Sequence, residues 1–277
     1  MSESLVPGVA VELAPGVRRL IAPNPGMMTG PGTNTYLVGQ GEVAVIDPGP
    51  ALESHVEAIV AAAGAPIRWI LVTHTHRDHS PAARMLAAET GAEMLGQVAP
   101  AGPHQDDTFS PDRALGDGDT LATKVFELCA LHTPGHASNH LCYLLAGQEL
   151  LFTGDHIMNG STVVIDPPDG SMRQYLDSLR RLRRESVAAI LPGHGDVLRE
   201  PKAVIDWIVD HRLQREAKVV EKLARHADSP LRELVAQVYD EVDSRLHQLA
   251  QRSLLAHLLK LEEEGRAMRD GERWRLI

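Results

Sequence analysis

Residues 73–80 read Thr-His-Thr-His-Arg-Asp-His-Ser, which places three imidazoles and one carboxylate within six positions. Zinc takes about four ligands, and a catalytic zinc leaves one position to water, so a single ion draws at most about three of these side chains. The surplus points to two ions. His74 and His76 are one residue apart, so on extended backbone they face the same way and can grip one ion. Asp78 and His79 fall on the following turn, displaced toward a neighbouring ion.

Three further signals supply what a two-ion site still needs. His136, in Thr-Pro-Gly-His, would complete a set of three histidines with His74 and His76. His194, in Pro-Gly-His-Gly, would join Asp78 and His79, and Asp155, in Thr-Gly-Asp, could bridge the ions through its two oxygens. Four metal-competent side chains at fixed spacing in the dense stretch serve no packing purpose, and buried without a partner they would cost desolvation energy. Asp47, at the end of Val-Ala-Val-Ile-Asp, is placed to accept an imidazole N–H and orient a ligand; a turn-forming aspartate is the competing reading. Among the 14 histidines, His55, His132, His211, His226, His247 and His257 read as surface or satisfied core residues, and His140 and His156 as neighbours of ligands or as unrelated to the site.

The elements that must deliver these residues alternate in type. Strands are expected at 33–39, 42–49, 69–74, 124–136, 140–146, 149–155 and 187–195, and helices at 55–64 and 171–184. Ser80 and Pro81 fit the cap and first position of a helix over 82–90 that Gly91 ends. Thr-Pro-Gly-His, Thr-Gly-Asp-His and Pro-Gly-His-Gly each stand where an apolar strand runs out, so their side chains can converge on one edge of a layered fold.

From about Arg199 the texture changes. Residues 201–225, 229–239 and 244–265 read as amphipathic helices, and Asp270-Gly271 marks a tight hairpin, which together suggest a winged-helix-like module. The expected domains are therefore 1–200, catalytic, and 201–277, helical.

Composition narrows the function classes. The 277 residues are 43% hydrophobic, enough for a substantial core, and carry a net charge of -10. That charge disfavours a general electrostatic grip on nucleic acid or an anionic membrane. Residues 1–210 hold 14 Lys and Arg against 25 Asp and Glu, whereas 211–277 hold 13 against 12. Cys129 and Cys142 both lie in apolar runs and are expected as free thiols, consistent with a reducing cytoplasm. No run approaches the ~20 apolar residues of a membrane span, and no signal peptide is expected at the N-terminus.

The order of THTHRDH, TPGH, TGD and PGHG resembles the metallo-beta-lactamase superfamily of binuclear hydrolases over about residues 10–200. The resemblance implies a four-layer αβ/βα sandwich with the metals at one edge between two sheets. NPGMMTGPGTNTYLVG and the helical tail with its wing are similar to the beta-lactamase-like protein 2 group, endoribonucleases and their bacterial relatives. The zinc beta-lactamases of the superfamily place Cys or Ser where Asp155 stands, which argues against antibiotic hydrolysis. The diiron flavoproteins carry Glu where His76 stands, which argues against redox chemistry. Glyoxalase II shares the seven ligands, but the basic residues that its C-terminal helices use for glutathione have no placed equivalents here.

The expected chemistry is hydrolysis by a hydroxide held between two metal ions about 3.5–4 Å apart, with Asp78 also passing a proton to the leaving group. Two zinc ions per chain are expected; the nitrogen and oxygen donors also suit iron or manganese. Family resemblance puts single-stranded RNA first as substrate. A small ester, thioester or lactone is the enzyme alternative, and a nucleic-acid or partner-binding protein with structural metals is the third class. Arg266, Arg269, Arg273 and Arg275 around the hairpin could touch phosphates, but charge balance in the tail favours packing or a homodimer contact. Residues 23–35, with two methionines among glycines and prolines, read equally as an apolar lip over the site or as a structural Ω-loop. Asn159, Ser161 and Thr162 are candidate polar substrate contacts.

Overall fold

A computed structural model describes residues 5–226 and 228–277. The chain divides into two compact units, Met1–Thr133 with Asn139–Ser161 and Glu185–Pro201, and Pro134–Ser138 with Thr162–Arg184 and Lys202–Ile277.

The first unit holds two sheets. One has seven strands in sequence order: β1 (Val11–Ala14), β2 (Val17–Ile21), β3 (Asn34–Val38), β4 (Val43–Ile46), β5 (Ile67–Leu71), β6 (Glu93–Gly96) and β7 (Arg113–Ala114). It is antiparallel through β4 and parallel beyond it, with α1 (Glu53–Ala63) and α2 (Ala82–Thr90) as crossovers. The other runs β12 (Ala189–Pro192), β11 (Leu150–Gly154), β10 (Leu141–Leu145), β9 (Glu127–His132), β8 (Thr120–Ala122), with only β11 and β12 parallel.

Alternation along β3 and β4 explains the layering. Tyr36, Val38, Ala44 and Ile46 join Leu141, Tyr143, Leu145 and Phe152 of the second sheet in one core, and the Tyr36 and Phe152 rings meet edge to face at 5.1 Å. Leu37, Val43 and Val45 point the other way, into a core with Val56 and Ile59 of α1 and Ala83 and Leu86 of α2. A strand buried on both faces reads as a continuous apolar run, as Val43–Ile46 does. Each fully buried large side chain contributes about 1.5–3 kcal/mol.

Two local expectations need correction. The strand over 69–74 ends at Leu71, because the Thr73 amide donates to the Asp47 carboxylate at 2.7 Å instead of to a neighbouring strand. Ser80 does not cap α2: Pro81 holds that position, and the Ser80 hydroxyl donates to Asp106 at 2.7 Å. Gly91 does end α2 in the left-handed conformation, at φ 69°, where its N–H reaches the Ala87 carbonyl. The expected strands at 33–39, 42–49, 140–146 and 149–155 are present with frayed ends, while β1, β2 and β6–β8 carry no clean apolar signal.

The second unit contains α3 (Met172–Leu182), α4 (Pro201–Arg225), β13 (Ser229–Pro230), α5 (Leu231–Val238), α6 (His247–Glu263), β14 (Ala267–Asp270) and β15 (Arg273–Leu276). Ser171 caps α3 by accepting from the Gln174 amide. The terminal hairpin turns at Gly271 and gains β13 as a third strand beside β15. Val219, Leu234, Val238, Leu254, Leu258 and Trp274 form its core. Among the described residues, no helix is long and apolar enough to cross a membrane.

Candidate metal centre

The residues from Val72 to Pro81 leave β5 and reach α2 without regular structure. Side chains and backbone from other strand ends fix this turn. Asp47 follows β4 in a left-handed conformation, φ 50°, and turns its carboxylate under the stretch. That carboxylate accepts the Thr73 amide and hydroxyl, each at 2.7 Å, and His79 Nδ1–H at 2.9 Å. On the outer side, the Asp106 amide donates to the Thr75 carbonyl, and Thr75 Oγ1 donates to Gln105 at 2.6 Å.

These bonds assign the imidazole tautomers. Thr73 spends its hydroxyl hydrogen on Asp47, so the 3.0 Å contact with His74 Nδ1 requires that nitrogen to donate. His74 is buried and turns Nε2 toward His76 Nδ1 at 3.0 Å. In His79, Asp47 takes the Nδ1 hydrogen. In His194, the Gly32 carbonyl lies 3.2 Å from Nδ1 and takes its hydrogen. Both rings therefore direct Nε2 inward.

What faces those nitrogens is acidic. Nε2 of His79 lies 3.3 Å from Asp155 and 3.5 Å from Asp78, and Nε2 of His194 lies 3.3 Å and 3.2 Å from the same carboxylates. One donor atom from each of Asp78, His79, Asp155 and His194 falls within 4.8 Å of the others. Burial alone would lower both histidine pKa values. The carboxylates outweigh it, holding His79 well above its ordinary value and lifting His194 to about 10. Burial likewise opposes ionisation of Asp155, but His194 and His79 hold its carboxyl well below the usual range. The four groups call for positive charge at their centre, which protons or a divalent cation can supply. Nitrogen and carboxylate oxygen donors with Nδ1 already held by oxygen fit a transition-metal ion.

Parallel pairing of β11 and β12 carries Asp155 and His194 to the site from adjacent strand ends. Gly193 makes this approach feasible. A Cβ there would lie 2.7 Å from Asp155 Oδ1 and 2.8 Å from His79 Cε1. The turn after β12 is held by Asn34, whose side-chain amide donates to the Pro192 and Gly195 carbonyls at 2.9 Å, and by buried Arg19, paired with Asp196 at 3.1 Å.

His136 belongs to the second unit, where its Nδ1 lies 2.8 Å from the Val164 carbonyl, so this ring too has Nδ1 committed to a backbone oxygen. His140 and His156 are fully buried, and the His140 ring stacks on His74 with centroids 5.0 Å apart. Of the histidines expected to lie outside the site, His55 is buried and lies 2.9 Å from the Thr35 hydroxyl, and His257 is fully buried beside Glu216. A lone histidine next to apolar sequence gave no signal of either. Asn159 sits beside Gly195, where an added Cβ would come within 2.8 Å of Asn159 Cβ. Residues 23–35 form a closed loop: Asn24 bonds Thr33 through both ends of its amide, Gly26 pairs with Gly30, and Met27 and Met28 are exposed.

Comparison with known proteins places this arrangement. Residues 28–194 match the Metallo-beta-lactamase superfamily. The chain belongs to that superfamily. Residues 231–274 match the Beta-lactamase associated winged helix domain, so the metallo-beta-lactamase fold here carries a C-terminal winged helix. A Beta-lactamase-like protein 2 homolog of Drosophila melanogaster is 30% identical, covering 95% of this chain and 93% of its own. Thioesterase pkgB of Emericella nidulans is 33% identical over 81% of this chain and 64% of its own. A metallo-beta-lactamase family protein from Thermus thermophilus superposes with a TM-score of 0.80 at 22% identity, over 96% of this chain and 100% of that one.

Proposed function

We propose that this metallo-beta-lactamase superfamily hydrolase uses two metal ions to cleave a thioester. In this reading His74, His76 and His136 would hold one ion, Asp78, His79 and His194 would hold the other, and Asp155 would be available to both. The observation that carries the reading is the convergence of Asp78, His79, Asp155 and His194, with Nδ1 of both imidazoles held by oxygen acceptors. Zinc suits the nitrogen-rich donor set. Two bound ions supply a water of lowered pKa and a Lewis acid for the scissile carbonyl.

The protein's own groups do the rest. Asp47 and Gly32 fix the rings of His79 and His194 so that neither rotates as charge develops. Asp78 is the more accessible of the two acids, its side chain 29% exposed against 13% for Asp155, so it is the better group to carry a proton to a departing thiolate.

Thioester cleavage is supported by similarity to a fungal thioesterase over 81% of the chain. A net charge of -10 does not hinder a small acyl substrate, whereas it opposes the phosphate contacts of single-stranded RNA. Three of the four hairpin arginines are engaged within their own unit. Arg266 pairs with Glu216 and Glu264, Arg269 lies over the Trp274 ring, and Arg273 donates to the Asp228 carbonyl. A parallel assay of an acyl-pantetheine thioester, a lactone, a beta-lactam and labelled single-stranded RNA tests the reading. Thioester turnover at least tenfold above the others is expected, and RNA cleavage with an inert thioester would overturn it.

A further inference from the structure

His55 lies behind the metal centre, on α1, and sequence alone gives it no role. Its surroundings assign one. The Thr35 hydroxyl donates to the Asp47 carbonyl at 2.7 Å. Its single hydrogen is thereby used, so His55 Nε2, 2.9 Å from Thr35 Oγ1, must be the donor in that contact. Burial lowers the His55 pKa to about 4, which keeps the ring neutral with its hydrogen on Nε2. A hydroxyl can rotate, and an N–H donor on its lone pair leaves the hydrogen aimed at the Asp47 carbonyl.

That carbonyl belongs to the residue with the least comfortable backbone near the site. Asp47 stands at φ 50°, a region non-glycine residues enter at a cost of order 1–3 kcal/mol unless the surroundings hold them there. Its amide is fixed by the Leu71 carbonyl at 2.9 Å and its carbonyl by Thr35. The same imidazole also backs Gly49, where an added Cβ would lie 3.3 Å from His55 Cδ2. The Gly49 amide donates to the His79 carbonyl at 2.9 Å, so His55 supports His79 by two routes, through the Asp47 carboxylate and through the backbone.

We propose that His55 is a positioning residue for the ion held by Asp78, His79, Asp155 and His194, acting through Thr35, Asp47 and Gly49. It touches no ligand atom. Its N–H keeps the Thr35 hydroxyl turned to Asp47, and Asp47 keeps His79 Nε2 pointed inward. The inference rests on the two-ion reading.

The test is zinc affinity of the full chain, measured by competition with a chromophoric chelator, for wild type, His55→Phe, His55→Gln and Thr35→Val. Loss of a hydrogen-bond partner behind a metal ligand lowers affinity about 10–100-fold. In His55→Phe a loss at the low end of that range, about tenfold, is expected for the ion that includes His79, with a smaller loss for the ion that includes His74, which Asp47 reaches only through Thr73. His55→Gln, which retains an N–H donor, should recover most of it. The double variant His55→Phe/Thr35→Val should be no worse than the worse single variant. Thermal denaturation identifies variants that have lost the fold, and Thr35→Val serves as the probe where His55→Phe does not fold. Equal zinc affinity in wild type and folded His55→Phe would overturn the proposal, as would a loss in His55→Gln equal to that in His55→Phe. A wild-type chain that binds no zinc would instead refute the two-ion reading.

Discussion

Asp47 and His79 are joined at 2.9 Å, and the carboxylate that takes the His79 hydrogen also takes both hydrogens that Thr73 offers. Thr73 in turn accepts from His74. One buried acid thus orients two imidazoles, His79 directly and His74 through Thr73. Asp47→Asn isolates this role, because asparagine tolerates the left-handed backbone yet would present N–H or a weaker acceptor to His79. Zinc affinity is expected to fall about 10–100-fold with the fold retained. Titration against a chelator checks this, and wild-type affinity would refute it.

Gly193→Ala places a methyl group where Asp155 Oδ1 and His79 Cε1 now stand, at 2.7 and 2.8 Å. Both side chains must move. A displacement on the order of 1 Å costs about 100-fold in turnover, so hydrolysis should fall to that extent while circular dichroism stays native. Gly91→Ala is no control, because Gly91 is itself left-handed; Gly147→Ala, with nothing within 4 Å of its added Cβ and no positive φ, is the matched one.

Elemental analysis of the purified protein should return two metal ions per chain, and Asp155→Ala should return fewer than two. Asp155 faces both His79 and His194 at 3.3 Å, so its removal takes negative charge from the centre of the cluster. One ion or none in the wild type would end the two-ion account.

Acid should destabilise the helical unit by a defined route. Burial pushes the His257 pKa down to about 4, against about 6.5 in an unfolded chain. Burial opposes ionisation of Glu216 as well, but His257, Lys260 and Arg266 hold it down to about 2, against an ordinary value of 4.5. Over each interval the unfolded chain binds a proton that the folded chain refuses, so stability is full above pH 6.5 and falls as pH drops through both windows. Melting temperature should decrease from pH 7 to 5, and His257→Phe should flatten that part of the profile. A variant with the wild-type slope would contradict the assignment.

Much of this was legible from residue types at fixed spacing. The dense stretch and the strand ends at Asp155 and His194 marked side chains that the fold brings together, because polar, metal-competent residues stand out against the apolar runs before them. Asp47 was legible too, as an acid at a strand end. The fold's second sheet was visible in its apolar strands, and the tail in its amphipathic helices and Asp-Gly turn. His55 and Thr35 were not, since a buried hydrogen bond between residues 20 apart has no periodicity to betray it. Nor were β1 and β2, and in β2 Arg18 and Arg19 interrupt the apolar pattern; Arg19 is buried where Asp196, far along the chain, meets it.

The clustering of His74, His76, Asp78 and His79 in six positions has a consequence for folding. Up to about three of those side chains can chelate an ion before any tertiary structure exists, whereas Asp155 and His194 arrive only when β11 and β12 pair. An ion that also binds the denatured chain stabilises the native state by less than its native affinity alone implies. Denaturation midpoints should therefore rise only shallowly with zinc concentration, and refolding from urea with zinc already present should begin from a chain that is locally looped around the ion.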